Sequence, residues 1–224
     1  TNITGKSVSV CVIDTGVDYT HPDLGNCTKE EFLSGNCEKV IAGYNFVNTS
    51  SDPMDDNGHG THVAGIIAAN GTLKGVAPDA KIVAVKVLDE DGEGYLTDIV
   101  SGIEWCVNHS EEYSIVAISM SLGTKYYHNS TYCDDDFRDP YFLTEAIDNA
   151  VAKGIAVVVA TGNEYETNGV SSPACIYNAT RVSATDKSDN IADFANRGGN
   201  FTIILMAPGV NILSLSLIHI SEPT

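Results

Sequence analysis

Val8-Ser9-Val10-Cys11-Val12-Ile13-Asp14-Thr15-Gly16 is a β-rich apolar run that stops on a carboxylate and turns at Thr-Gly. Runs of the same kind follow at Val40–Phe46, Lys81–Leu88, Ile115–Met120, Ile155–Ala160, Thr180–Ala184 and Ile203–Met206. Between them lie helical stretches: His62–Ala69, rich in small residues, Asp98–Val107, amphipathic around Trp105, and Leu143–Ala152, which Gly154 stops. Near-continuous Val/Ile runs alternating with helices predict an α/β fold, a central and mostly parallel sheet with helices on both faces, three layers in all. Ligands of such sheets bind outside the carboxyl ends of the strands. Three polar motifs follow directly on apolar strands: Asp14-Thr15-Gly16, Ser121-Leu122-Gly123 and Thr161-Gly162-Asn163.

Taken singly, Asp14 and Asn163 read as turn or helix caps. The run Asp56-Asn57-Gly58-His59-Gly60-Thr61-His62-Val63-Ala64-Gly65 changes that reading, because it sets a histidine between two glycines at a helix start. Glycines there let another chain approach the backbone closely. A catalytic base needs a second group to fix its tautomer and stabilise the imidazolium, and Asp14 is the candidate for His59. Asn163 has two uses open to it, capping the next helix or donating its side-chain N–H to a developing oxyanion. A metal pair of His59 and His62 lacks a third ligand at any zinc-like spacing.

In order along the chain stand Val12-Ile13-Asp14-Thr15-Gly16-Val17-Asp18 with His21-Pro22-Asp23-Leu24, Asn57 through Gly65, Gly75-Val76-Ala77-Pro78, Ser119-Met120-Ser121-Leu122-Gly123, Ala160-Thr161-Gly162-Asn163 and Met206-Ala207-Pro208-Gly209. This series, from about Lys6 to Asn211, resembles the subtilisin-like serine proteases, the subtilase family. The resemblance implies an Asp-His-Ser endopeptidase working through an acyl-enzyme, with Asp14 orienting His59 and Asn163 in the oxyanion hole. It implies that Ser121, Leu122 and Gly123 pair with an extended substrate peptide as a strand, with Gly94 and Leu96 on the opposing edge. Ala160, Thr161 and Gly162 would line the specificity pocket. A peptide or protein substrate in extended conformation and a cleaved propeptide are the expected partners of a monomer.

No cofactor is expected for the chemistry. Asp23 matches the family's calcium aspartate, so a structural calcium is the one metal site in view, although the loop Asn70-Gly71-Thr72-Leu73-Lys74 is short for it. The acidic stretches Asp52–Asp56 and Asp134-Asp135-Asp136 read as solvated surface. Ser119 stands where the family often has Asn.

The family's nucleophilic Ser lies in Gly-Thr-Ser-Met-Ala, and no Gly-Thr-Ser follows Ala207-Pro208-Gly209. The chain as written is therefore expected to lack its nucleophile and the C-terminal elements of the fold, and to be inactive. Residues 1–214 are expected to form the incomplete peptidase domain. Leu215–Thr224 reads as a non-native tail, similar to translated library adapter. A non-catalytic peptide-binding module on the same fold is the alternative; intact Asp14, His59 and Asn163 favour the enzyme.

The formal net charge of -18, from 30 acidic and 12 basic residues, leaves no basic footprint for a nucleic acid. No run approaches the roughly 18 apolar residues of a membrane span. Thr1–Lys6 leads straight into a strand, as a trimmed terminus would. Eight Asn-x-Ser/Thr sequons begin at Asn2, Asn26, Asn48, Asn70, Asn108, Asn129, Asn178 and Asn200, against about three expected from 17 Asn and 36 Ser plus Thr in 224 residues. That excess and the six cysteines point to a secreted glycoprotein. Cys27 and Cys37 bracket a polar loop, and Cys133 and Cys175 both fall in loops, so two bridges are expected there, with connectivity open. Cys11, in an apolar strand, and Cys106, on an apolar helix face, read as buried free thiols.

Overall fold

The computed structural model describes residues 3–124, 126–129, 132–134, 141–201 and 204–217. In chain order the elements are β1 (Ser9–Asp14), a 3-10 turn (Pro22–Leu24), α1 (Lys29–Leu33), β2 (Val40–Asn45), α2 (His59–Ala68), β3 (Lys81–Lys86), α3 (Leu96–Asn108), α4 (Ser110–Tyr113), β4 (Ile115–Met120), β5 (Tyr127–His128), α5 (Tyr141–Ala152), β6 (Ala156–Ala160), β7 (Val170–Ser171), β8 (Thr180–Thr185) and β9 (Leu205–Pro208). They fall into two units, Thr1–Ile118 with Ser214–Thr224, and Ser119–Leu213. Strand β4 carries the chain from the first unit into the second.

In the first unit the strands run parallel in the order β2-β3-β1, with Ser9 opposite Lys81 and Asp14 opposite Lys86. Successive strand residues face opposite ways, and the packing follows that period. Val12, Ile82 and Ala84 join Ala64 and Ala68 of α2 in one buried cluster. Helix α3 covers the other side: a Cβ at Gly102 would lie 3.0 Å from Val85 and Val87 and 3.6 Å from Ile13. Glycine at 102 lets the helix sit that close.

Cys106 is four residues after Gly102, one helical turn along, and Cys11 is two residues before Ile13 on the same side of β1. The structure therefore corrects the free-thiol expectation: Cys11 and Cys106 form a disulfide, Cα–Cα 6.4 Å, within the span a bridge allows. Cys27–Cys37 and Cys133–Cys175 are bridged as expected, and no cysteine is free. A long apolar strand and an apolar helix face each look like core on their own. Only the helix phase relative to the strand brings the two sulfurs together.

In the second unit β6, β8 and β9 are parallel neighbours, with Val158 opposite Thr180 and Val182 opposite Leu205. Helix α5 packs on β6 and buries Leu143, Ala146, Ile147 and Ala150, an i, i+3, i+4, i+7 stripe. The pair β5–β7 is antiparallel. Among the described residues no helix is long and apolar enough to cross a membrane.

Sequence and structure differ at some boundaries. Helix α2 begins at His59 rather than His62, and the last strand is Leu205–Pro208; Ile203 lies outside the described residues, as do Asp135 and Asp136. Of the segment expected to be a foreign tail, 215–217 is described. Leu215 is buried among the α2 cluster, and Ser214 Oγ donates to the His62 carbonyl at 2.7 Å.

Candidate active site

Asp14 is the last residue of β1 and is fully buried; His59 is the first residue of α2, with its side chain 49% exposed. Strand end and helix start meet, and His59 Nδ1 lies 2.7 Å from Asp14 Oδ1. The same oxygen accepts the Thr15 N–H at 2.7 Å. A carboxylate facing Nδ1 fixes the proton on that nitrogen and leaves Nε2 as the outward, basic position. Two glycines permit this approach. Gly58 caps the helix with φ 107, in the left-handed region. A Cβ at Gly60 would fall 2.0 Å from the Gly16 carbonyl oxygen and 3.2 Å from Asp14 Oδ1.

Asp55 holds the start of this helix and was not foreseen as more than an acidic surface residue. It is 1% exposed. Its Oδ1 accepts Thr15 Oγ1 and the N–H groups of Asn57 and Gly58, and its Oδ2 accepts the N–H and hydroxyl of Thr61. Thr15 Oγ1 in turn accepts the Gly60 N–H at 2.9 Å. One carboxylate thus ties the turn after β1 to the first turn of α2, which sets the His59–Asp14 distance. Lys86, 2% exposed, donates to the carbonyls of Thr15 and Leu88 and to Asp56 at 2.6 Å. The stretch read as solvated surface is largely an anchor for the site.

The hydrogen bond that His59 donates to the Asp14 carboxylate raises the His59 pKa above its ordinary 6.5, against the opposing pull of partial burial. A raised folded-state value means that the stabilisation from this pair is complete below about pH 6.5 and is lost as pH rises through the folded value. An NMR titration of His59 therefore gives a midpoint above 6.5, and Asp14→Asn moves it down. A midpoint at or below 6.5 in the unsubstituted chain contradicts the pairing.

Also in the first unit, Glu93, Gly94 and Tyr95 are exposed and belong to no helix or strand, and Leu96 opens α3. A Cβ at Gly94 would meet the Val87 carbonyl oxygen at 2.3 Å. Both oxygens of Asp23 accept loop amides, Thr72 N–H and Leu73 N–H, each at 2.8 Å. The Leu73 amide is the main cause that holds its carboxyl below the usual range. Converging N–H dipoles suit an anion rather than a cation, and calcium takes about six to eight oxygen ligands. The residues around Asp23 do not fit a calcium cage; Asp23 anchors the short loop 70–74 instead.

In the second unit, Asn163 is exposed on the loop after β6, and its N–H donates to Glu164 Oε2 at 2.9 Å. Thr161 Oγ1 donates to the Asn196 carbonyl, and the Thr161 carbonyl accepts the Ser171 N–H. Ser121, Leu122 and Gly123 follow β4 in no regular element, and Thr124 N–H donates to the Ser172 carbonyl at 2.9 Å. Asn196, fully buried, is the second residue missed. Its Oδ1 accepts the N–H groups of Glu164 and Glu166, and its Nδ2 donates to Glu164 Oε2 at 2.6 Å and Ser171 Oγ at 3.2 Å. It clamps the loop that carries Ala160, Thr161, Gly162 and Asn163. Nothing in the local sequence Phe194-Ala195-Asn196-Arg197 signals that role.

Among the described residues one set of three side chains has metal-ligand spacing, His128 with Cys133 and Cys175, and the two sulfurs there are joined to each other.

The comparisons bear on these arrangements. The model described as "Subtilase family" matches residues 5–224. "Serine protease AprX" of Bacillus subtilis (strain 168) is 37% identical over 95% of this chain and 48% of its own length. "Thermophilic serine proteinase" of Bacillus sp. (strain AK1) is 42% identical over 92% of this chain and 44% of its own. The chain thus spans about half the length of the curated relatives it matches. The crystal structure of a cold adapted subtilisin-like serine proteinase aligns with a TM-score of 0.76 and 32% identity, over 96% of this chain and 67% of that one. The predicted α/β architecture, a mostly parallel sheet with helices on both faces, is that of this neighbour.

Proposed function

The chain belongs to the subtilase family, and from that premise we propose that it carries the aspartate, histidine and oxyanion asparagine of a secreted serine endopeptidase. The single observation that supports the triad assignment best is the 2.7 Å contact of half-exposed His59 with fully buried Asp14. A buried carboxylate behind an accessible imidazole is the arrangement of a general base.

In this reading His59 Nε2 takes the proton of a serine hydroxyl as that oxygen attacks the peptide carbonyl. Asp14 stabilises the imidazolium that forms, and His59 returns the proton to the leaving amine. Asn163 donates its carboxamide N–H to the oxyanion. Extended substrate lies as an added strand along Ser121-Leu122-Gly123 and along the Gly94–Leu96 edge, and one side chain enters beside Ala160, Thr161 and Gly162. A propeptide occupies the same strand positions until it is cleaved, and the enzyme works as a monomer. Secretion is supported by three disulfides that leave no free thiol.

None of the 224 residues places a serine in the family's Gly-Thr-Ser-Met-Ala motif, so the chain alone is proposed to be inactive. The test uses a chromogenic extended peptide. The 224-residue chain gives no turnover, whereas a chain continued through a Gly-Thr-Ser-Met-Ala segment hydrolyses it and is labelled by a fluorophosphonate. Turnover by the 224-residue chain that is abolished by His59→Ala contradicts the missing nucleophile. Silence of the continued, folded chain contradicts the protease reading.

A further inference from the structure

We propose that Asn26, Asn70 and Asn108 in the first unit and Asn178 in the second carry N-linked glycans, all at the amino-terminal edges of their strands. The carboxyl edges, where His59 and Asn163 stand, are then left free of carbohydrate by these four. The proposal rests on the secretion reading above and adds the positions.

Five sequons have all three residues described, those starting at Asn26, Asn48, Asn70, Asn108 and Asn178, and all five asparagines are exposed. Asn26 and Asn70 line one polar cavity of about 470 Å³ together with Lys39, which precedes β2, and with Asp79 and Lys81, which lead into β3. That is the amino edge of the first unit's strands. Asn70 also lies beyond the end of α2, whose ten residues make a rod about 15 Å long with His59 at its other end. Asn108 closes α3, and the chain then reaches Ser114, whose carbonyl accepts the N–H of Ser9, the first residue of β1, at 2.9 Å. Asn178 stands two residues before β8.

Not every amino-edge asparagine is an acceptor: Asn36 lines the same cavity, and Glu38 follows two residues on. Asparagines are present at the carboxyl edges too: Asn57 before α2, Asn163 after β6 and Asn190 after β8. Two residues after them come His59, Tyr165 and Ala192, none of which has an aliphatic hydroxyl. Asn48, past β2, is the exception, and its Oδ1 accepts Ser50 Oγ at 2.6 Å. Of the five sequons whose residues are all described, four thus lie away from the carboxyl edges proposed to bind substrate.

The co-reactant is a lipid pyrophosphate-linked oligosaccharide. The carboxamide nitrogen bonds to C1 of the first sugar, the bond from C1 to the pyrophosphate oxygen breaks, and a base takes the proton that the amide loses. The cavity that Asn26 and Asn70 line is also lined by Glu31 and Asp79, whose carboxylates are acceptors for the first sugars of either glycan, while the Lys39 ammonium is committed to the Pro78 and Ala80 carbonyls.

The experiment expresses the 224 residues behind a cleavable secretion signal in a glycosylating eukaryotic cell. Chain from both the lumen and the medium is treated with peptide N-glycosidase in heavy-oxygen water and mapped by mass spectrometry. Heavy-oxygen aspartate is expected at positions 26, 70, 108 and 178. Asn26→Asp, Asn70→Gln, Asn108→Gln and Asn178→Gln each remove one glycan's mass and leave the other three. Label absent from these positions, or confined to Asn48, overturns the proposal. Failure of the secretion reading looks different: the protein isolated from its own cells then has cysteines open to alkylation. Failure of the protease reading shows only in peptide hydrolysis.

Discussion

His59→Ala lowers kcat by about a million-fold in an enzyme that contains this chain together with the serine segment, the size of loss known for the equivalent change in a subtilisin. The physical reason is unit behaviour. Without Nε2 the serine hydroxyl keeps its proton, and Asp14, buried behind the histidine, has no imidazolium left to stabilise. Asp14→Asn costs less, on the order of ten-thousand-fold, because the imidazole remains but with the wrong tautomer facing the serine. Asn163→Ala costs about a hundred- to a thousand-fold, the loss of one oxyanion donor. The measurement is single-turnover hydrolysis with active-site titration, so that misfolded enzyme is not counted. The double variant of Asp14 and His59 is expected to be no slower than His59→Ala alone. Additive losses would show that the two residues act separately and that the 2.7 Å contact is structural.

The largest stability effect is expected at the bridge that the sequence did not reveal. Cys11 and Cys106 close a loop of 95 residues, and in the chain-entropy account such a loop is worth about 4–5 kcal/mol, against about 3 kcal/mol or less for the ten residues between Cys27 and Cys37. Replacing Cys11 and Cys106 by alanine should therefore lower the urea midpoint more than replacing Cys27 and Cys37. The unfolding slope should rise as well, because the less constrained unfolded chain exposes more surface. Equal midpoints for the two double variants would mean that loop length does not govern these bridges.

What the sequence showed and concealed divides along a physical line. Asp14, His59 and Asn163 stand beside Thr-Gly, Gly-Gly and Thr-Gly neighbours, and the backbone they require is written into adjacent residues. The residues that hold them are remote in sequence: Asp55 reaches back across 40 positions to Thr15, and Asn196 across 32 to Glu164. An Asp among acidic neighbours, or an Asn between Ala and Arg, has no local pattern that separates a fully satisfied buried anchor from a surface residue. The same limit applies to Asp23. Its match to a family motif was visible, but the two amides that occupy its carboxylate became visible only with the fold of loop 70–74.

The discontinuity of the first unit bears on synthesis. Ser214, whose hydroxyl donates to the His62 carbonyl of α2, is made only after all 95 residues of Ser119–Leu213 have been added. At translation speeds of about 5–20 residues per second, the 152 positions from His62 to Ser214 take roughly 8–30 s on the ribosome, and until then that carbonyl lacks this donor. The base-bearing helix thus receives this contact only after every residue of the second unit has been made.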